Sequence, residues 1–305
     1  MTQNRLHTAD KLREYGITVQ SGFMIRETEF GPTVLLEDGR EAETAEFLRS
    51  DGFERLEINH ALGFSGHDLG FLKEFAFLTG FEIIHRKIDD ISLIHCLEKL
   101  NNISIQTFCR TPIEFSRFAE LKHCRLHWRP KGRSIFECRQ IESLFLDYYK
   151  SKDCKPVGKL TGIRKLTITN SPLEEIDPLA DLVNLVKLDL SNLRKLTVIT
   201  PVQHLSGLEF LRIDGARKLR DVNPLAALRN LKVLYLCDVG AIPSLAPLKD
   251  LSRLEALYAW GDTNILDGDL RGLLALPNLK KLAMMNRQHY SPTIDEVEAH
   301  LQRSV

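Results

Sequence analysis

The chain has 305 residues, with 41 lysines and arginines against 41 aspartates and glutamates, so its formal net charge is zero. A composition of 43% hydrophobic and 27% charged residues excludes wholesale disorder and leaves room for one large domain or two ordinary ones. The neutral balance argues against a protein that coats nucleic acid along its whole length, and no apolar run of about 18 residues marks a membrane span.

The start, MTQNRLHTAD, has no apolar core of an export signal. The six cysteines (Cys96, Cys109, Cys124, Cys138, Cys154 and Cys237) form no Cys-x-x-Cys pair, which points to reduced thiols in a cytoplasmic protein. Thr8 can cap a short helix through Tyr15 that stops at Gly16. Two β-rich runs follow, 23–30 and 33–37, joined across Gly31 and Pro32. Residues 1–46 are therefore expected to form an N-terminal α/β cap.

From residue 47 a different pattern takes over. Its clearest instance is Leu173, Ile176, Leu179, Leu182, Leu185, Leu188 and Leu190, a step of three closing with a step of two. Three residues turn an α-helix by about 300°, so an amphipathic helix would lose this stripe around its circumference. A tight three-per-turn segment entering a short strand keeps it on one side. The frame recurs and closes at Ile58, Ile83, Ile105, Leu126, Leu146, Ile168, Leu190, Ile213, Leu236, Ala259 and Met284, at intervals of 20 to 25 residues. The first unit, Phe47, Ser50, Phe53, Leu56 and Ile58, has one polar lapse. Eleven units in register at this period are the signature of leucine-rich repeats.

The segments 176–190 (IDPLADLVNLVKLDL), 222–236 (VNPLAALRNLKVLYL) and 245–259 (LAPLKDLSRLEALYA) resemble the 22-residue repeats of bacterial internalins. The resemblance is close over 157–284 and skeletal over 47–156. It implies an α/β solenoid, a leucine-rich repeat horseshoe of about 11 repeats over 47–286, with a parallel concave β-sheet and short irregular or 3-10 convex segments. It also implies a bacterial protein-binding protein. Known internalins are exported, whereas this chain shows no export signal. The family's Asn or Cys three residues after the last strand leucine is replaced here by residues such as Arg86, Phe108, Ser171, Leu193 and Val239. Asn170 and Asn192, one residue earlier, are candidates to satisfy the turn backbone. Beyond the repeats, Ser291 and Pro292 are expected to start a helix whose Ile294, Val297 and Leu301 seal the last repeat, making 287–305 a C-terminal cap.

In each strand the leucines point inward, so the residues between them project from the concave sheet. Read along the repeats, Phe210, Val233, Tyr235, Tyr258, Trp260 and Met285 become one patch, bordered by Arg212 and Asp214 and extended by Phe145 and Asp147. Contiguous exposed aromatics flanked by charge have the composition of a protein-binding hot spot, and the size of the patch favours that reading over rings that cover the sheet or pack under a loop. A second candidate is the basic segment 123–133, HCRLHWRPKGR. There His123, Arg125, His127, Trp128 and Arg129 could hold an anion. A solvated basic face is the plain alternative. Arg125 between the two histidines argues against a metal site.

No GxSxG, Walker A loop, HExxH or dinucleotide-binding glycine motif is present, and neither a cofactor nor catalysis is expected. The leading expectation is a non-enzymatic scaffold, monomeric in isolation, that binds a protein ligand. A specific form is a cytosolic inhibitor or immunity protein blocking another protein's active site. Nucleic-acid or phosphate binding through 123–133 is the alternative from a different class. Charge is unevenly spread: residues 27–60 carry ten acidic and three basic side chains, and 107–170 carry fourteen basic and six acidic ones.

Overall fold

A computed structural model describes Leu12 and residues 14–303. The chain folds as two compact units, 1–138 and 139–305. The helix expected between Thr8 and Tyr15 falls largely outside the described residues.

The first unit opens with an antiparallel meander of β1 (Ile17–Gln20), β2 (Phe23–Thr28) and β3 (Gly31–Leu36). Strand β1 was not foreseen; its outward residues alternate too weakly to announce a strand. Helix α1 (Glu41–Asp51) follows, burying Thr44, Ala45, Phe47 and Leu48 and ending at Gly52, whose φ of 75° closes the last turn. The helix runs across residue 46, where the cap was expected to end. Phe47 and Ser50 are therefore helical and do not belong to the repeat frame. The buried residues 44, 45, 47 and 48 mix steps of three and four, as one face of an α-helix does. The parallel array then starts on β3, with β4 (Arg55–Asn59), β5 (Gly80–His85), β6 (Asn102–Thr107) and β7 (His123–His127) added in order.

The second unit continues the same construction. Its main sheet runs β8 (Ser143–Asp147), β9 (Lys165–Thr169), β10 (Lys187–Ser191), β11 (Phe210–Asp214) and β12 (Val233–Cys237). A two-stranded sheet of β13 (Ala241–Ile242) and β15 (Asn264–Ile265) interrupts the later repeats, while β14 (Ala256–Ala259) and β16 (Lys281–Met284) complete the main sheet. The register is that of the repeat frame. Leu146 pairs with Ile168, Ile168 with Leu190, Leu190 with Ile213 and Ile213 with Leu236.

The step of three also has its structural cause. Segments such as Asp177–Asp181, Thr200–His204 and Asn223–Ala227 are 3-10 helices with a proline in the first turn, where its missing N–H costs nothing. Each stacks on the next, and the leucines at every third position have no exposed surface. Asn184, Asn230 and Asn278, each just before a frame leucine, donate to the carbonyl oxygens of Thr161, Ser206 and Ser252 one repeat back. These side chains satisfy backbone that the tight turns leave unpaired.

Past the strands, the chain turns through left-handed residues at equivalent places: Tyr148, Asn170, Asn192, Gly215, Asp238 and Gly261, with φ between 50° and 71°. The N–H of each of the first five bonds to a carbonyl of the next repeat. Asn192 Nδ2 donates to Asn170 Oδ1 at 2.6 Å, and Asn170 Nδ2 to Asp147 Oδ1 at 2.7 Å. This short ladder replaces the asparagine usually found one residue later.

At the end, α2 (Arg271–Leu274) is a single turn and α3 (Ile294–Arg303) buries Ile294, Val297 and Leu301. Helix α3 begins two residues after Pro292. Thr293 Oγ1 accepts the N–H of Glu296, whose carboxylate accepts the N–H of Thr293, a reciprocal capping box.

Candidate protein-binding surface

Parallel pairing without slip places equivalent residues of neighbouring repeats side by side, about 4.8 Å apart. On the outward face of the second unit, Asp189 thus abuts Arg212, Arg212 abuts Tyr235, Tyr235 abuts Tyr258 and Tyr258 abuts Ala283. The Tyr235 and Tyr258 rings stack with centroids 4.2 Å apart and planes 7° from parallel. Phe210 joins them, 5.6 Å from Tyr235. Burial and the neighbouring Tyr235 raise the Tyr258 hydroxyl above the usual phenol range.

Charged side chains frame these rings. The Arg212 guanidinium lies 4.2 Å from the centroid of Tyr235, while its Nη1 sits 3.6 Å from Asp189 Oδ2. Lys187 Nζ lies 4.9 Å from the centroid of Phe210. Asp214 pairs in register with Cys237. Partial burial and the like charge of Asp238 raise its carboxyl above the ordinary range, against the pull of Arg212. Cys237 is raised first by its own burial, so it is not an activated thiolate.

Trp260 and Met285 follow Asp214 and Cys237 along the next column, and they are the open part of the surface, 54% and 40% exposed. The structure thus brings Phe210, Arg212, Asp214, Val233, Tyr235, Tyr258, Trp260 and Met285 onto one face. Phe145 and Asp147 stand apart, because β9 and β10, carrying Thr167 and Asp189, lie between them and Arg212. Asp147 also serves the turn ladder, accepting from Thr169 Oγ1 and Asn170 Nδ2.

Outward does not always mean open. Glu57 is fully buried in an ion pair of 2.8 Å with Arg26, and Asn59 donates to it at 2.8 Å. Burial raises its carboxyl despite those partners. Ser104 and Asp189 are buried as well, each covered by a neighbouring polar side chain.

The basic segment of the first unit is less available than its sequence suggests. His123 packs against Phe30 with centroids 4.8 Å apart, His127 meets Phe108 edge-on at 5.4 Å, and Trp128 lies 5.4 Å from Phe136. Arg125 is exposed. Arg129, a candidate anion ligand by sequence, is only 6% exposed. Its guanidinium donates to the Thr107 carbonyl at 2.9 Å, the Cys109 carbonyl at 3.0 Å and the Thr107 hydroxyl at 2.6 Å. It also lies 3.1 Å from Cys109 Sγ. Burial opposes ionisation of that thiol, but the Thr107 hydroxyl and the guanidinium outweigh it and lower the Cys109 range. Arg129 is thus a backbone clamp; being one residue past a half-buried Trp128, it turns inward as the strand ends.

Among the described residues, no group of three or more His, Cys, Asp or Glu side chains is placed to hold a metal ion. No described helix is long and apolar enough to cross a membrane.

No protein-family model and no curated protein matches the chain. Solved structures do. An internalin, InlF of Listeria monocytogenes, is similar over 77% of this chain and 68% of its own, at 20% identity and a TM-score of 0.58. The leucine-rich repeat protein LIC12759 of Leptospira interrogans matches over 80% of this chain and 75% of its own, at 14% identity and a TM-score of 0.52. A plant peptide hormone receptor, RGFR1 in complex with RGF2, matches over 87% of this chain and 44% of its own, at 16% identity and a TM-score of 0.55. Repeat period, strand register and stacked 3-10 turns agree with these likenesses: the chain has the leucine-rich repeat fold, in a form resembling that of the internalins.

Proposed function

We propose that the protein is a non-enzymatic binding scaffold that holds a protein ligand on the outward face of the second unit's sheet. The observation that carries this reading is the continuous surface of Phe210, Tyr235, Tyr258, Trp260 and Met285, open at Trp260 and Met285 and edged by Arg212 and Asp214. Stacked rings on paired strands are already ordered, so binding to them loses little side-chain entropy. The plant receptor of the same fold, which is solved with RGF2, supports a polypeptide as the ligand class. Nucleic-acid binding through 123–133 is less well supported, since Arg129 is committed to backbone carbonyls.

The test is affinity capture from the native cell with the wild-type protein and with Tyr258→Ala/Trp260→Ala. A partner held through this surface loses about 30-fold or more in affinity, as expected of aromatic hot-spot residues. A partner retained equally well by the folded double variant would refute the assignment.

A further inference from the structure

The proposed binding face is electrically lopsided across its strands. Lys165, Lys187 and Lys281 occupy the position that opens β9, β10 and β16. Aspartates gather at the opposite ends, with Asp214 closing β11 and Asp238 directly after β12. The cations nearest this edge are already committed: Arg212 lies on the Tyr235 ring and beside Asp189, Arg217 pairs with Asp262, and Arg287 donates to the carbonyls of Gly261 and Thr263. Among the described residues Asp214's carboxylate accepts no hydrogen bond and makes no ion pair, although it sits half-buried beside a second carboxylate. Asp238 Oδ1 accepts the backbone N–H of Asp262, at 2.9 Å. Next to this pair stand the Tyr258 stack and the exposed indole of Trp260, whose carbonyl accepts the N–H of Asp238 at 3.1 Å. Two carboxylates short of a cation, beside aromatic faces, complement a side chain that is both cationic and able to lie on a ring.

Resting on the reading that this face binds a polypeptide, we infer that the partner places an arginine or lysine over the Asp214–Asp238 edge, against the Tyr258 and Trp260 rings. The bound cation relieves the crowding of the two carboxylates and shields the apolar ring faces in one step. An acidic partner segment would meet like charge at the same place.

A random dodecapeptide library displayed on phage provides the probe, panned at low ionic strength against the folded wild-type protein, Asp214→Asn/Asp238→Asn and Trp260→Ala. Asparagine keeps the shape of both side chains and tolerates the positive φ of Asp238, and thermal melting confirms that each variant is folded. The wild-type pool is expected to be enriched in Arg and Lys. A synthetic peptide from that pool should bind the carboxylate double variant about tenfold more weakly, and replacing its basic residue with Gln should cost the same in wild type but little in the variant. A wild-type pool without basic enrichment, or affinity unchanged within about twofold in the carboxylate variant, overturns the inference. If Trp260→Ala still abolishes binding in that case, the binding face stands and only its charge preference falls. Peptides that bind Trp260→Ala as well as wild type, or a wild-type selection that enriches nothing, overturn both.

Discussion

Arg129 and Asp214 show how burial changes the meaning of a charge. Arg129 sits in a run of basic residues, yet its fork spans the carbonyls of Thr107 and Cys109. Arg129→Ala is expected to destabilise the protein by about 2–4 kcal/mol, because two buried carbonyls lose their donors. Arg129→Lys should recover little, since one ammonium cannot reproduce the planar fork. Chemical denaturation of the three proteins checks both statements; a variant within about 0.5 kcal/mol of wild type would remove the clamp from the account. At Asp214 the sign is opposite. Its folded-state range is raised, so ionisation disfavours the native state, and its favourable contribution belongs to low pH and is lost as the pH rises through the folded value. Asp214→Asn should therefore raise stability at neutral pH, by less than about 1 kcal/mol given solvent screening. The gain should vanish near pH 3, below the ordinary aspartate value, in melts recorded across the acid range. Neither behaviour is written in residue type. Both depend on which neighbours the fold supplies.

The element that most needed the structure is the turn after each strand. Sequence alone shows that the usual asparagine is missing; the structure shows left-handed residues one position earlier, bonded from repeat to repeat. At Asn192 two needs coincide, a φ of 56° and a side chain that donates to Asn170 and accepts from Arg194 Nε. Asn192→Ala loses both and should cost about 1–2 kcal/mol. Asn192→Gly regains the conformation but not the ladder, and should fall between Ala and wild type in urea titrations. If Ala and Gly are equivalent, backbone conformation contributes nothing measurable. The 3-10 segments, by contrast, were legible beforehand, because a step of three with proline in the first turn is consistent with few other local structures. Helix α1 is hidden in the sequence, since its Phe47 and Ser50 lie three apart in front of Phe53 and Leu56 and so mimic a repeat.

Over the whole molecule, each repeat touches mainly its neighbours, so damage should spread along the array rather than across it. Leu211, fully buried in β11 between the register partners Leu188 and Leu234, tests this. Leu211→Ala should cost about 2–5 kcal/mol. Hydrogen exchange should show the greatest loss of protection in β10 to β12; uniform loss over the second unit would mean that its repeats unfold as one block. The zero net charge likewise resolves into local balances. Within the acidic stretch 27–60, Arg40 pairs with Glu37 and Glu43, while Glu57 pairs with Arg26 just before it. From Phe53 onward the sequence by itself determined the repeat frame, the strand register and the residues of the outward columns, because a buried apolar residue every third position closing on a two-residue strand period fixes the alignment. Only the tertiary structure decided which outward residues are open. Glu57, Asp189 and Arg129 are covered, while Trp260 and Met285 are not. Exposure depends on groups far along the chain, Arg26 over Glu57, Arg212 beside Asp189 and the Thr107 and Cys109 carbonyls on Arg129, and no local pattern within one repeat encodes them.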